Sequence, residues 1–217
     1  MTFESSIILI QLLILFFSTV IHEVAHGYVA KYLGDDTAEK MGRLTLNPIK
    51  HIDLFGSIIL PLMLVLTKSP FIFGWAKPVP LNPFNLRNPK TQSGIIAAVG
   101  PLSNIVLALA FGLTVRVLAP IGVSPMLLLF LSLAAFLNFA WAVFNLIPIP
   151  PLDGSRILFA LLPDKYCGVQ RAFEVYGIII IFLFLFIAYG FIFGAAGWLF
   201  NFVVGNPIDF FFVPFSG

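Results

Sequence analysis

The pattern His22-Glu23-Val24-Ala25-His26 continues an apolar run without a break. Residues 7–21 read IILIQLLILFFSTVI and lead straight into HEVAHGYVA. No other feature of the chain restricts its folding so tightly. Three ionisable side chains on a membrane-length helix are costly to bury, so they need partners there and they mark function. On a helix, His22 and His26 stand one turn apart on one face, where both imidazoles reach a single metal ion. Glu23 projects beside them, placed to act on a metal-bound water rather than to bind the metal. The pattern predicts a zinc hydrolase working within a bilayer, with one Zn2+ per chain.

Composition agrees with a membrane setting. The 217 residues are 59% hydrophobic and 10% charged, with a mean hydropathy of +1.02. A soluble domain cannot hide that much apolar surface, so the expected class is an all-α polytopic membrane protein. The 25 phenylalanines point to a lipid-facing surface, and a net charge of +2 is too small for nucleic-acid binding. A single cysteine, Cys167, excludes an intramolecular disulfide and a cysteine-based zinc cluster. The opening residues MTFESS lack a positive n-region, and the apolar run leads into the metal pattern instead of a cleavage site, so no signal peptide is expected. Without repeats or a linker, residues 1–217 read as one membrane-embedded domain, with a core over 7–162 and a fourth span and tail over 173–217.

Four stretches are long enough to cross, at about 20 apolar residues per span. They run from about Ile7 to Leu33, Ile95 to Leu118, Met126 to Ile147 and Val175 to Phe200. Gly34-Asp35-Asp36 ends the first, Pro120 the second, and Pro148, Pro150 and Pro151 the third. Gly190, Gly194 and Gly197 are expected to interrupt the fourth, and the aromatic tail from Asn201 to Gly217 reads as interfacial.

The stretch Phe55 to Thr67 has only 13 residues and contains Pro61, the length of a re-entrant segment. Two arguments make it turn back. A catalytic zinc takes three protein ligands, and the best third candidate is Asp153, just beyond the third span. Asp153 meets His22 and His26 only if the first and third spans end on the same side. The charge rule agrees: with re-entry, Lys31, Lys40, Arg43, Lys50, Lys77, Arg87, Lys90, Arg156, Lys165 and Arg171 share one face, Arg116 takes the other, and Lys68 at the turn is assigned to neither. That puts the metal end on the cytoplasmic side of the cell membrane.

Asp153 closes the segment Asn145-Leu146-Ile147-Pro148-Ile149-Pro150-Pro151-Leu152-Asp153-Gly154. Prolines that break a helix near membrane depth are tolerated where the freed backbone is buried or lines a wet cavity. Read alone, Asp153-Gly154 is a turn signal. Beside the histidine pair in the same membrane, it supplies the carboxylate of a two-imidazole, one-carboxylate site with a fourth position open.

With HEVAHGYVA on the first span, GPLSN (Gly100, Pro101, Asn104) on the second and NLIPIPPLDG after the third, the chain resembles the site-2 protease family of intramembrane zinc metalloproteases. The resemblance covers about Ile7 to Leu162. It implies His22, His26 and Asp153 as zinc ligands, Glu23 as catalytic base and Asn145 as a residue lining the active site. It also implies a minimal form, because the turn from Leu118 to Ser124 has no space for the PDZ domain many relatives carry there.

The expected activity is hydrolysis of peptide bonds in single-span membrane proteins or signal-peptide remnants, with Glu23 assisting the attacking water. A helical substrate must first unwind. Arg43 to Leu46 alternates polar and apolar residues like a short strand, while the prolines between Trp75 and Leu81 confine any strand to an edge. Two readings stay open: a short β element around Trp75 and Val79 that pairs with unwound substrate, or two ordinary interfacial loops. His51 is read as an interfacial residue near Asp53, and Asn104 and Asn138 as interhelical hydrogen-bonding groups.

Two other functions compete. A zinc transporter would need polar residues through both halves of the membrane, whereas here they cluster near one end. A non-catalytic binding protein would have no need of Glu23.

Overall fold

Residues 3–26 contain neither proline nor glycine, and they form the body of the first helix, α1 (Phe3–Tyr32). In this computed structural model the described residues are 3–67 and 75–205, with some side chains within the first and last helices outside that set. Gly34, at φ +113°, ends α1 where the sequence predicts. Its N–H donates to the Lys31 carbonyl and that of Asp35 to the Ala30 carbonyl, a left-handed helix stop that glycine adopts without strain. A single turn, α2 (Thr37–Lys40), follows.

The short apolar stretch turns back. Asp53 Oδ1 accepts the Gly56 N–H and starts a π-helical turn, Leu54–Ile59. This passes into α3 (Leu60–Leu66), with Pro61 in the first turn where its missing N–H is tolerated. The helical run is about 20 Å long, short of the roughly 30 Å hydrocarbon thickness. By Trp75 the chain is again beside its starting point: Trp75 N–H donates to the Gly56 carbonyl at 3.1 Å, and Ser57 Oγ to the Trp75 carbonyl at 2.8 Å. The segment enters and leaves on one side, as the topology argument requires. Residues 68–74, which include Lys68 and most of the short apolar stretch Phe71 to Trp75, lie outside the described residues.

No strand occurs among the described residues, so of the two readings left open the loop reading holds, with residues 75–82 forming a strap. Pro78 and Pro80 leave Val79 with the single N–H between Lys77 and Leu81, too few donors for a ladder there. The neighbouring loop is joined to the strap mainly by a side chain. Arg43 Nη2 donates to the Lys77 carbonyl at 2.8 Å and the Pro78 carbonyl at 3.3 Å. One backbone bond, Lys77 N–H to the His51 carbonyl at 2.8 Å, completes the tie. His51 is therefore fully buried rather than interfacial, with Nε2 on the Thr45 carbonyl.

Asn88 caps α4 (Pro89–Leu118), which begins six residues before the predicted span and carries Pro101 inside. Residues 119–124 connect it directly to α5 (Pro125–Asn145). Then come α6 (Asp153–Leu161) and α7 (Cys167–Val204). The glycines expected to interrupt the fourth span leave α7 continuous, because glycine keeps its backbone N–H and costs a helix only about 1 kcal/mol each. Part of that predicted span, and the tail beyond Gly205, fall outside the described residues. Segments 6–32, 89–121 and 125–145 are long and apolar enough to cross a membrane. The chain is an all-α, multi-pass membrane protein.

Helix α4 is the centre of the bundle and packs on α1, α5 and α6, with α7 behind. Ala108, Ala135 and Ala196 are fully buried among Phe139, Phe200 and Val204, small residues that let the helices approach closely. Leu102, Val106, Leu113 and Val117 form the exposed face of α4, which suits lipid contact.

Candidate metal centre

Two adjacent faces of α1 divide the work. His22 and His26 face α4 and α6, while Glu23 and Gly27, also one turn apart, face the strap. A Cβ on Gly27 would meet Leu44 and lie 2.9 Å from Val79 Cγ1. Both histidines are buried, His22 at 4% and His26 at 6% exposure. They lie about 9 to 15 Å along the helix from its end at Tyr32.

Each imidazole is held at Nδ1. His22 Nδ1 is 2.7 Å from Asn104 Oδ1, and His26 Nδ1 is 2.7 Å from the Ile96 carbonyl, both on α4. Pro101 cannot donate to the carbonyl four residues back, and its ring distorts that turn. The Ile96 carbonyl lies in this loosened turn. With a proton on each Nδ1, both Nε2 atoms present lone pairs.

Asp153 approaches from the N-terminus of α6. Gly154 makes this possible: a Cβ there would strike the Leu146 carbonyl and come 2.5 Å from that of Ile147, so α6 doubles back tightly on the end of α5. Asp153 Oδ2 lies 3.0 Å from His22 Nε2 and 3.3 Å from His26 Nε2. That oxygen is buried and accepts no hydrogen bond.

The three residues form a group able to hold a metal ion, and the donor set fits zinc. Tetrahedral ligands at 2.0–2.2 Å stand about 3.3 Å apart, close to the spacing of the carboxylate oxygen from each nitrogen. A cradle lies opposite, where Gly100 of α4 faces the pair. A Cβ on Gly100 would press on the His26 ring and sit 2.5 Å from His22 Nε2, so only glycine leaves the volume between the imidazoles clear.

Glu23 is partly buried, and its Oε2 accepts the Val79 N–H at 2.8 Å. The strap thus orients the proposed base. A second anchor is Asp35, 1% exposed, whose carboxylate accepts Asn82 N–H at 2.7 Å, Asn85 Nδ2 at 2.8 Å and Thr37 N–H at 3.1 Å. Burial pushes this carboxyl up, but the donors of Thr37, Asn82 and Asn85 more than offset it and hold the group below its ordinary value.

Of the residues expected to meet substrate, Trp75 is 38% exposed against the re-entrant turn, with its ring centroid 5.8 Å from that of Phe55. The Val79 side chain is buried against Gly27 and only its N–H faces Glu23. Asn145 is buried at the end of α5, with Nδ2 on the Trp141 carbonyl at 3.0 Å. Reading the sequence missed Gly100 as the floor of the site and Arg43 and Asp35 as anchors of the strap. Gly100 stands one turn before Asn104, a spacing that could have flagged it. The anchors act on distant backbone groups and leave no spacing signal.

Comparison with known proteins finds zinc metalloproteases among those similar to this chain. A family model for peptidase family M50 matches residues 121–188, a segment that carries Asn145 and Asp153. "Putative zinc metalloprotease YwhC" of Bacillus subtilis is 40% identical over 180 residues, covering 78% of this chain and 76% of that protein. "Putative zinc metalloprotease Rip2" of Mycolicibacterium smegmatis is 35% identical over 159 residues, 71% of this chain and 57% of its own length. "Zinc metalloprotease MJ0392" of Methanocaldococcus jannaschii is 31% identical over 155 residues, of which this chain spans 34%. No solved structure matches. The chain belongs to peptidase family M50, the site-2 protease family of zinc metalloproteases.

Proposed function

We propose that this zinc metalloprotease is an intramembrane endopeptidase, hydrolysing peptide bonds in or near the membrane-spanning segments of single-span proteins or signal-peptide remnants. One observation carries the reading. Two imidazole nitrogens and a carboxylate oxygen converge well inside the length of a spanning helix, with a second carboxylate, Glu23, on the next face.

His22, His26 and Asp153 would hold the ion. Zinc bound there supplies Lewis-acid chemistry, polarising a peptide carbonyl and lowering the pKa of water. Glu23 accepts the proton of the attacking water and returns it to the leaving amine. The Val79 N–H engages one carboxylate oxygen and so fixes the direction of the other. Val79 thereby acts at the reacting end of the site. Trp75 and Asn145 are assigned to contact with an unwound substrate. The crowding of basic residues on the loops at the metal end supports a cytoplasmic-facing site in the cell membrane.

The test uses the full chain in liposomes with a single-span substrate. Glu23→Gln should lower cleavage by roughly 10²–10⁴-fold, the usual worth of a general base, with zinc content unchanged. Cleavage that survives the substitution refutes the mechanism.

A further inference from the structure

The lone pair that His22 offers at Nε2 depends on a proton at Nδ1, and the placement of that proton traces back through two amides to a backbone carbonyl. Asn138 is fully buried on α5, and its Nδ2 donates to the Ala134 carbonyl at 2.8 Å. A carbonyl only accepts, so this end of the amide is the NH2 and Oδ1 points the other way. Oδ1 lies 3.0 Å from Asn104 Nδ2, which makes that the NH2 end of Asn104. The Ser18 carbonyl, 3.4 Å from the same nitrogen, fixes the same polarity from α1. Asn104 Oδ1 is left facing His22 Nδ1 at 2.7 Å, and that nitrogen has to carry the proton.

We infer that Asn138 is a positioning residue for the metal centre: through Asn104 it sets the direction of the hydrogen bond at His22 Nδ1 and so keeps Nε2 free to bind zinc. The inference rests on the proposal that His22 is a zinc ligand. A pair of asparagines serving only to hold α4 to α5 would do so equally well with both amides turned over. Here turning over is blocked by the Ala134 carbonyl. With Asn138 replaced by leucine, the NH2 end of the Asn104 amide keeps only its long bond to the Ser18 carbonyl. It can rotate and offer NH2 to Nδ1, which favours a proton on Nε2 and opposes the metal.

The experiment measures zinc affinity of the full-length detergent-solubilised protein by chelator competition, alongside thermal unfolding. Asn138→Leu keeps the branched shape and heavy-atom count and should bind zinc about tenfold more weakly, at the low end of the 10–100-fold range for residues behind metal ligands. Asn138→Asp keeps an acceptor toward Asn104 and, protonated, a donor toward Ala134, and should restore most of that affinity. In the zinc-loaded protein the His22 Nδ1–H proton resonance should be slowly exchanging in the wild type and Asn138→Asp but lost to exchange in Asn138→Leu. Unchanged affinity in Asn138→Leu, or an equal loss in both variants, overturns the inference. His22→Ala distinguishes the underlying reading: if it binds zinc as the wild type does, the ligand assignment fails and the relay fails with it.

Discussion

The two sides of the site are built in different ways. The metal side is made of helices, with His22 and His26 on α1, Asn104 and Gly100 on α4, and Asp153 at the start of α6. Its polar groups are buried and bonded across interhelical contacts. The Glu23 side is made of loops, where a proline-rich strap is tied down by Arg43, Asp35 and single backbone bonds. Helix packing fixes atoms that must converge on one point. A strap held by a few polar ties keeps an orientation and can yield locally, because segments with few buried contacts open at low free energy. Damage to the helical side should therefore remove zinc, while damage to the strap should spare zinc and slow the chemistry.

The largest effect is expected at Gly100. Gly100→Ala favours the helix yet places a methyl group between the imidazoles. Zinc affinity should fall on the order of 100-fold with the fold intact by circular dichroism. Near-normal zinc affinity would break the comparison on its helical side.

Arg43→Met comes next. It removes the guanidinium bonds to the Lys77 and Pro78 carbonyls and loosens the strap behind Val79. The kcat for a single-span substrate should drop about tenfold, the equivalent of roughly 1.4 kcal/mol, with zinc affinity unchanged. A matching loss of zinc would show that the two sides are not separate.

The smallest effect on zinc and on the chemistry is at Asp35, whose contribution is to stability. Asp35→Asn exchanges a buried ionised acceptor for a neutral one and should destabilise the fold by about 1–3 kcal/mol. The wild-type contribution has a definite pH sign. The Asp35 carboxyl is held below its ordinary value in the fold. Its stabilisation is therefore fully present above the unfolded value of about 3.9 and is lost as pH falls through the lower, folded value. Thermal unfolding from pH 7 to pH 3 should fall more steeply for the wild type than for Asp35→Asn. Parallel curves would remove Asp35 from the account.

The same division explains what could be read from the sequence. The His22–His26 pair, Glu23 and Asp153 were legible because metal chemistry restricts residue type and helical spacing restricts position. Asking where a third ligand could lie also predicted the re-entrant stretch at Phe55. The strap was less legible. Its prolines left an edge strand and an ordinary loop both open, whereas the same prolines remove the donors a strand needs, and a side chain, Arg43, makes the cross-link instead. The partner of His26 is the Ile96 carbonyl, a backbone atom with no signature in the sequence. Asn138 was legible as an interhelical hydrogen-bonding group, but its connection to His22 required its distance to Asn104. His51 read as interfacial because neighbouring Lys50 and Asp53 are polar, whereas its burial comes from the strap crossing over it.

The central claim is that Asp153 of α6 completes a metal centre with His22 and His26 of α1. Zinc K-edge X-ray absorption on the full-length protein, with zinc counted per chain, tests it most directly. One zinc per chain is predicted, with nitrogen and oxygen ligands at about 2.0–2.2 Å including two imidazoles. Asp153→Ala should lose the ion or change its ligand shell. An identical spectrum and stoichiometry in Asp153→Ala would contradict the account.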